Sequence, residues 1–182
     1  MIKEFDFSTL DLDALAHPND DFFKVFKVEN SPEFFYKIQK FAKMLQERYL
    51  YLSDEYRNPE VITAIISDYF QPKHPVILYE MGNFQGLIGF TDIMPGYKAS
   101  MLFKIWDKNL YSKGMVRACK GLLEFIQDSL NLRRISTGSP DPRMVKGAKM
   151  IGFKVEGEKE CGFMWDGKFY TDVLLSRIQQ EE

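Results

Sequence analysis

The chain is short of the residues that build metal centres and disulfide frameworks. Among 182 residues it has two cysteines, Cys119 and Cys161, and two histidines, His17 and His74. A structural zinc site takes about four ligands at close sequence spacing, and the sequence has no CxxC motif or Cys/His cluster. Two cysteines so far apart also argue against a disulfide framework. We therefore expect no metal, two buried and reduced thiols, and a cytoplasmic protein.

Long apolar runs and a strong net charge are also missing. No stretch approaches the roughly 18 apolar residues of a transmembrane helix, and Lys3, Glu4 and Asp6 stand where a signal peptide would have its apolar run. The formal net charge is −2 and the isoelectric point is about 5.8. A nucleic-acid-binding protein usually has a strong basic surface instead. We expect neither a nucleic-acid partner nor a membrane association.

Apolar and aromatic residues are abundant. They make up 45% and 15% of the chain, which is enough to fill the interior of one domain of this length. Residues 6–21 differ from the rest, because they carry five Asp and no Lys or Arg. We therefore predict an acidic N-terminal extension at 1–21 and a single domain at 22–182.

The spacing of apolar residues predicts an α+β chain. Aromatic and β-branched residues predict a strand at 22–28, and two helices with Pro in the first turn are predicted to begin near residues 31 and 58. Turns at Gly82 and Gly96 separate three strands that form a meander. The strands of the meander are predicted at 75–81, 85–93 and 99–106. They are followed by an amphipathic helix at 115–130, a strand at 133–137, a helix at 142–151 and strands at 152–155, 161–165 and 170–178.

The start of the amphipathic helix is the most informative position. A strand ends, a short loop follows, and the helix begins at Ser112, Lys113 and Gly114. The first N–H groups of a helix have no partner within it, and the helix dipole favours negative charge there. A phosphate or pyrophosphate suits such a helix start, and Lys113 and Arg117 add positive charge. The alternative is that Ser112 only caps the helix and Gly114 only relieves crowding.

The order of motifs from residue 109 to residue 173 resembles the GNAT superfamily, closest to its branch of ribosomal-protein N-acetyltransferases. The matching pieces are a Lys-Gly loop entering the amphipathic helix, a strand start with Arg and Ile, a helix running into Gly-Phe, an Asp-Gly turn and a last strand with Asp. They lie at 112–114, 132–135, 149–157, 166–168 and 172–173. The resemblance implies a GNAT-like α+β fold whose central sheet is mixed, mostly antiparallel and flanked by helices, over a single acyltransferase domain.

By this resemblance, the protein moves an acetyl group from acetyl-CoA, its co-substrate, to a primary amine, without a metal. The helix start would hold the pyrophosphate of coenzyme A through its backbone, and the strand before it would hold the pantetheine arm. The cofactor-binding residues so implied are Met101, Phe103, Ile105, Tyr111, Ser112, Lys113, Gly114, Met115, Val116 and Asp141. The acceptor would be an amine-bearing small molecule or protein, and the resemblance also allows a homodimer.

The chain departs from the family's pattern at this site. Tyr111 and Val116 stand where the loop usually has Arg or Gln and then Gly or Ala. On the short helix, Asp141 and Met144 replace an Asn and a Ser, and Ala148 stands where many members carry a tyrosine acid. These departures leave a second function open, a catalytically inactive GNAT-fold binding or structural module that acts through a protein partner.

Transfer of an acetyl group to an amine needs a group that accepts the amine's proton. Asp92, at the end of a central strand, and Glu80, in the neighbouring strand, are the candidate catalytic residues. The alternative for each is an exposed or salt-bridged acid without a catalytic role.

Overall fold

The computed structural model describes residue 15, residues 22–25, positions 32, 36, 37, 39, 43, 58, 60 and 61, and residues 76–83, 85–105, 107–110 and 112–179. In this part of the chain, the strands are β1 Phe23–Val25, β2 Ile77–Met81, β3 Gly86–Met94, β4 Lys98–Ile105, β5 Arg134–Ser139, β6 Lys154–Trp165 and β7 Lys168–Ile178. The helices are α1 Lys113–Ser129 and α2 Pro142–Met150, and a 3-10 turn spans Lys108–Leu110. None of the described helices has the length and apolar character needed to cross a membrane.

All seven strands belong to one sheet, in the order β1-β2-β3-β4-β5-β7-β6. Every neighbouring pair is antiparallel except β4 and β5, which are parallel. The predicted meander is confirmed, with Gly82 and Gly96 at φ +58° and +77° in its two turns. The predicted fold class, α+β with a mixed and mostly antiparallel sheet, is therefore confirmed.

The two parallel strands stay together over only part of their length. Ladder partners run from Lys98 and Arg134 to Ser100 and Ser136. Beyond those partners β4 continues to Ile105 and β5 to Ser139 without pairing with each other, although both strands are fully described. The sheet therefore has an opening in its middle, between the second halves of β4 and β5.

Helix α1 covers one face of the sheet, as its apolar spacing predicts. The side chain of Ser112 caps it by accepting a hydrogen bond of 3.1 Å from the Met115 N–H, and Asn131 follows its end at φ +50°. Its buried residues share one core cluster with strand residues such as Phe90 and Ile135. Those helix residues are Met115, Cys119, Leu122, Leu123 and Ile126.

The core cluster defines the two faces of the sheet around the opening. Ala99 of β4 and Ile135 of β5 are ladder partners and belong to the same core cluster as α1, so they lie on what we call the α1 face. Side chains alternate along a strand. Lys104 of β4 and Gly138 of β5 therefore lie on the opposite face.

The C-terminal hairpin differs from the prediction in one respect. A single strand, β6, replaces the two separate strands predicted at 152–155 and 161–165. Its pairing with β7 shifts register between Val155 and Gly157 and again between Lys159 and Phe163. Cys161 lies in the second irregularity at φ +52° and is exposed. The expectation of two buried thiols is therefore wrong for this residue and confirmed for Cys119, which is buried.

The N-terminal third is described only in part. The two helices predicted to begin near residues 31 and 58 lie mostly outside the described residues, although Asn58 accepts a hydrogen bond of 2.9 Å from the Glu60 N–H, as a helix start requires. Of residues 1–21 the structure describes Leu15, which is buried and accepts a 2.9 Å hydrogen bond from the Tyr79 hydroxyl. The boundary at residue 22 stays a prediction.

Candidate functional site

A cavity of about 710 Å³ occupies the opening between β4 and β5. Its size is in the range of sites that bind small molecules and cofactors. The walls come from β4, the start of α1, the end of β5, α2 and the C-terminal hairpin. The described residues that line it include Met101, Phe103, Lys104, Ser112, Lys113, Met115, Val116, Gly138, Arg143, Met144, Lys146, Ala148 and Asp172.

The structure brings six of the predicted cofactor-binding residues together at this cavity. They come from β4 and from the first turn of α1, so the predicted pairing of a strand with a helix start is present. These six are Met101, Phe103, Ser112, Lys113, Met115 and Val116. Four others are not among the lining residues: Ile105 is buried in the core, Gly114 is exposed beside the lining residues, Asp141 lies at the start of α2, and Tyr111 is outside the described residues.

The backbone at the start of α1 is open to an incoming group. A Cβ atom placed on Gly114 would have one neighbour within 4 Å outside the helix's own backbone, the Ser112 hydroxyl at 3.6 Å. The protein's own packing therefore does not require glycine here. The N–H groups of Met115 and Val116 are bonded to Ser112, so the glycine leaves the N–H groups of Lys113 and Gly114 accessible to an anion, which the helix dipole favours.

Helix α2 supplies further positive charge. Arg143 and Lys146 line the cavity, one turn apart. Asp141 caps this helix by accepting a 2.9 Å hydrogen bond from the Arg143 N–H, and it also holds the Arg143 guanidinium at 2.8 Å. Burial alone would raise the pKa of Asp141, but these hydrogen bonds outweigh burial and the pKa is lowered. Arg143, rather than Asp141, is thereby placed at the cavity, and direct coenzyme binding by Asp141 stays a prediction.

Two charged side chains, Lys104 and Asp172, line the cavity on the face of the sheet opposite the α1 face. Burial lowers the pKa of Lys104 to about 8, although the charge of Asp172 acts in the other direction. Burial raises the pKa of Asp172, against the influence of Lys159 and Lys104. Asp172 lies over Gly138, where a Cβ atom would come within 2.8 Å of its Oδ2 atom.

The two predicted catalytic acids lie elsewhere. Glu80 is buried and forms a salt bridge of 3.2 Å with Lys37. Asp92 is exposed at φ +49°, within the irregular end of β3. Neither residue lines the cavity, so their catalytic role stays a prediction that the geometry of the cavity does not support.

The sequence analysis missed the charged residues of the cavity, namely Lys104, Arg143, Lys146 and Asp172. Two local features pointed to them: Lys104 is a charged residue in the otherwise apolar run 101–106, and Arg143 and Lys146 are three residues apart on the short helix. Asp172 matched the family's last strand, but no role was assigned to it. Nothing local in the sequence shows that β4 and β7 bring Lys104 and Asp172 to one cavity.

Two acetyltransferases are among the solved structures with a similar architecture. The spermidine N-acetyltransferase from Vibrio cholerae, solved with CoA and spermine, has a TM-score of 0.63 and 16% identity and covers 88% of this chain and 97% of its own. The microcin C7 self-immunity acetyltransferase MccE, solved with acetyl-CoA and AMP, has a TM-score of 0.61 and 16% identity. Its match covers 88% of this chain and 94% of MccE. No protein-family model and no curated protein matches the sequence. The likeness to these solved structures shows that the chain has the fold of the GNAT-superfamily N-acetyltransferases.

Proposed function

We propose that the protein transfers an acetyl group from acetyl-CoA to an amine. The observation that carries the proposal is the cavity itself, which begins at the start of α1 and continues through the opening between β4 and β5 to the opposite face. Such a passage suits a long, narrow thioester that enters from one face and meets an acceptor at the other. Structures of the same fold were solved with CoA and with acetyl-CoA.

The charges at the mouth of the cavity suit the phosphates of the coenzyme. Lys113 stands at the start of α1, and Arg143 and Lys146 stand on α2. Three cations and the free N–H groups of a helix start are strong partners for a pyrophosphate and a further phosphate. The predicted pyrophosphate position at the start of α1 is part of this proposal.

The wall between the mouth and the opening suits the pantetheine arm. Met115, Val116 and Met144 give it an apolar surface. Beyond Ser100 the edge of β4 that faces β5 makes no ladder bonds, so its backbone N–H and C=O groups are available to the amides of the arm. Val116, a departure from the family's loop, would then act as part of this apolar wall.

One observation favours a second function, coenzyme binding without catalysis. Ala148 and Met144 line the cavity and offer no hydroxyl or carboxyl group, so the acid that many family members place on this helix has no counterpart there. A coenzyme-binding module that acts through a protein partner would need the mouth of the cavity and no proton-transferring residue.

Isothermal titration with acetyl-CoA and with free coenzyme A tests the coenzyme site. We expect micromolar binding by the wild type and at least a tenfold weaker affinity for Gly114→Glu, because a carboxylate at the helix start would repel the pyrophosphate. Glu is favourable in the first turn of a helix, so this variant should fold normally.

Gly121→Glu is the matched control. It makes the same substitution two turns further along α1, at a position where a Cβ atom meets nothing within 4 Å and which does not line the cavity. Its affinity should equal that of the wild type. Absence of binding by a folded wild type, or an equal loss in both variants, would contradict the coenzyme site.

A further inference from the structure

Lys104 and Asp172 both line the cavity although they come from strands on either side of the opening. Lys104 is on β4 and points to the face opposite α1. Gly138 of β5 points to the same face, and its ladder partner on β7 is Leu174. Asp172 is two residues from Leu174 and so shares that face. The pair therefore lies where the passage through the sheet ends, away from the cationic mouth.

Asp172 stands out by its chemistry. It is the one carboxylate among the described residues that line the cavity. A glycine on each adjacent strand lies close to it: a Cβ atom on Gly138 would come within 2.8 Å of its carboxylate, and one on Gly162 within 2.9 Å of its Cβ. Larger residues at these positions would displace the side chain, so two glycines make the space that Asp172 occupies.

We propose that Asp172 and Lys104 are the proton-transferring residues of acetyl transfer, Asp172 as the base for the acceptor amine and Lys104 as the acid for the departing sulfur. This inference rests on the proposed function. It replaces Asp92 and Glu80, which do not line the cavity, and it supplies the acid that Ala148 cannot provide.

The step balances with these two residues. The acceptor ammonium gives one proton to the Asp172 carboxylate, and its nitrogen then forms a bond to the thioester carbonyl carbon while the carbon–sulfur bond breaks. The sulfur keeps the electron pair and takes a proton from the Lys104 ammonium. The Lys104 amine takes the surplus proton of the new amide nitrogen, and Asp172 releases its proton to water. The sum is one amide, one thiol and one proton.

The electrostatics of the pair suit these roles. Burial brings the pKa of Lys104 to about 8, close to the value of about 8.5 for a cysteine thiol, and an acid in this range can protonate a thiolate as it departs. Burial raises the pKa of Asp172, which makes it a better proton acceptor than an exposed carboxylate. The charged groups that act on Asp172 are Lys104 on β4 and Lys159 on β6.

The first test compares two small nucleophiles at neutral pH, ethylamine and hydroxylamine. Ethylamine is protonated and needs a base, whereas hydroxylamine is mostly unprotonated and does not. We expect Asp172→Asn to slow acetyl transfer to ethylamine by about 100-fold and transfer to hydroxylamine by less than about threefold, in line with typical contributions of a general base. Asp166→Asn, the same change in the exposed turn of the same hairpin, should alter neither rate.

The second test addresses Lys104. We expect Lys104→Met to slow transfer to both nucleophiles by about tenfold or more and to abolish the fall in wild-type rate that should occur as the pH rises above about 8. The affinity of each variant for acetyl-CoA, measured by titration, should stay within about twofold of the wild type, because neither residue belongs to the cationic mouth formed by Lys113, Arg143 and Lys146.

The outcomes separate this inference from the proposed function. A wild type that does not bind acetyl-CoA overturns both. A wild type that binds acetyl-CoA but transfers to neither nucleophile, an equal loss for both nucleophiles in Asp172→Asn, or an unchanged rate in Lys104→Met overturns the inference and leaves the coenzyme site standing.

Discussion

At the scale of single residues, Lys104 is a partly buried lysine. Burial lowers its pKa from the usual 10.5 to about 8, against the attraction of Asp172. Between these two values the unfolded chain binds more protons than the folded one. Folding stability should therefore rise with pH in this window, and charged Lys104 should destabilise the fold at pH 7.

We predict that Lys104→Met, which keeps the length and the apolar stem of the side chain, unfolds at a higher temperature than the wild type at pH 7. Its advantage should shrink as the pH rises from about 8 towards 10.5. Thermal unfolding over this pH series measures both effects. The exposed Lys168 provides the control, because Lys168→Met should shift the midpoint little and by the same amount at every pH. A less stable Lys104→Met variant would show that the lysine charge is well accommodated.

The sequence predicted single residues well where their role is local. Ser112 and the turn glycines stand where their backbone preferences place them, because caps and tight turns depend on near neighbours. The catalytic acids could not be chosen in this way. Asp92 on β3 and Glu80 on β2 lie in the same sheet as the site, yet only the pairing of strands distant in sequence decides which side chains reach the cavity.

At the scale of elements, the start of α2 joins helix stability to the cavity. Asp141 caps the helix and holds Arg143 at the cavity wall. Asp141→Ala should lower the free energy of unfolding by about 1 kcal/mol at neutral pH, the usual effect of losing a helix cap. The folded-state pKa of Asp141 is lowered, so its contribution is present above the unfolded-state pKa and is lost as the pH falls through the folded-state value. The free energies of unfolding of the variant and the wild type should therefore become equal at acidic pH.

Urea denaturation at neutral and acidic pH measures this difference. Asp141→Asn is the matched control, since Asn caps helices about as well as Asp but carries no charge for Arg143. It should retain most of the stability at neutral pH and lose the dependence on acid. A loss of the same size in Asp141→Ala at every pH would mean that the cap does not depend on ionisation.

Elements with a regular spacing of apolar residues were predictable from the sequence, and the irregular elements were not. The apolar spacing of α1 and the alternation along β4 match the structure. The run between Val155 and Cys161 has little apolar alternation, so the sequence predicted a gap, whereas pairing with β7 keeps it in a continuous but irregular strand. Here the partner strand, rather than the local sequence, determines the conformation.

At the scale of the whole molecule, the order of elements indicated the fold and the opening in the sheet makes the site. Parallel strands that part after three ladder pairs leave no trace in composition or periodicity. The resemblance to the GNAT superfamily therefore carried the prediction that β4 and the start of α1 share a coenzyme site, and the departures at Val116 and Ala148 obscured its chemistry. The two residues proposed to transfer protons come from β4 and β7, and Lys104 and Asp172 are 68 residues apart.

The segment before residue 22 provides the last test at this scale. Leu15 is 4% exposed within the core, and its carbonyl oxygen accepts the hydrogen bond of the buried Tyr79 hydroxyl. Burial raises the pKa of Tyr79 above its usual range, so this hydroxyl stays neutral and needs its acceptor. Deletion of residues 1–21 should therefore destabilise the protein by about 2–4 kcal/mol, because it opens a cavity in the core and leaves this hydroxyl unsatisfied.

Chemical denaturation of four proteins separates the two causes: the full-length chain and the deletion, each with and without Tyr79→Phe. In the full-length chain, Tyr79→Phe should cost about 1 kcal/mol, the net value of one hydrogen bond. In the deletion it should cost nothing or stabilise, because the hydroxyl has already lost its partner. If the losses from the deletion and from Tyr79→Phe add, Tyr79 finds another acceptor in the deletion. If the deletion is as stable as the full-length chain, residues 1–21 are the dispensable extension that their acidic composition predicts.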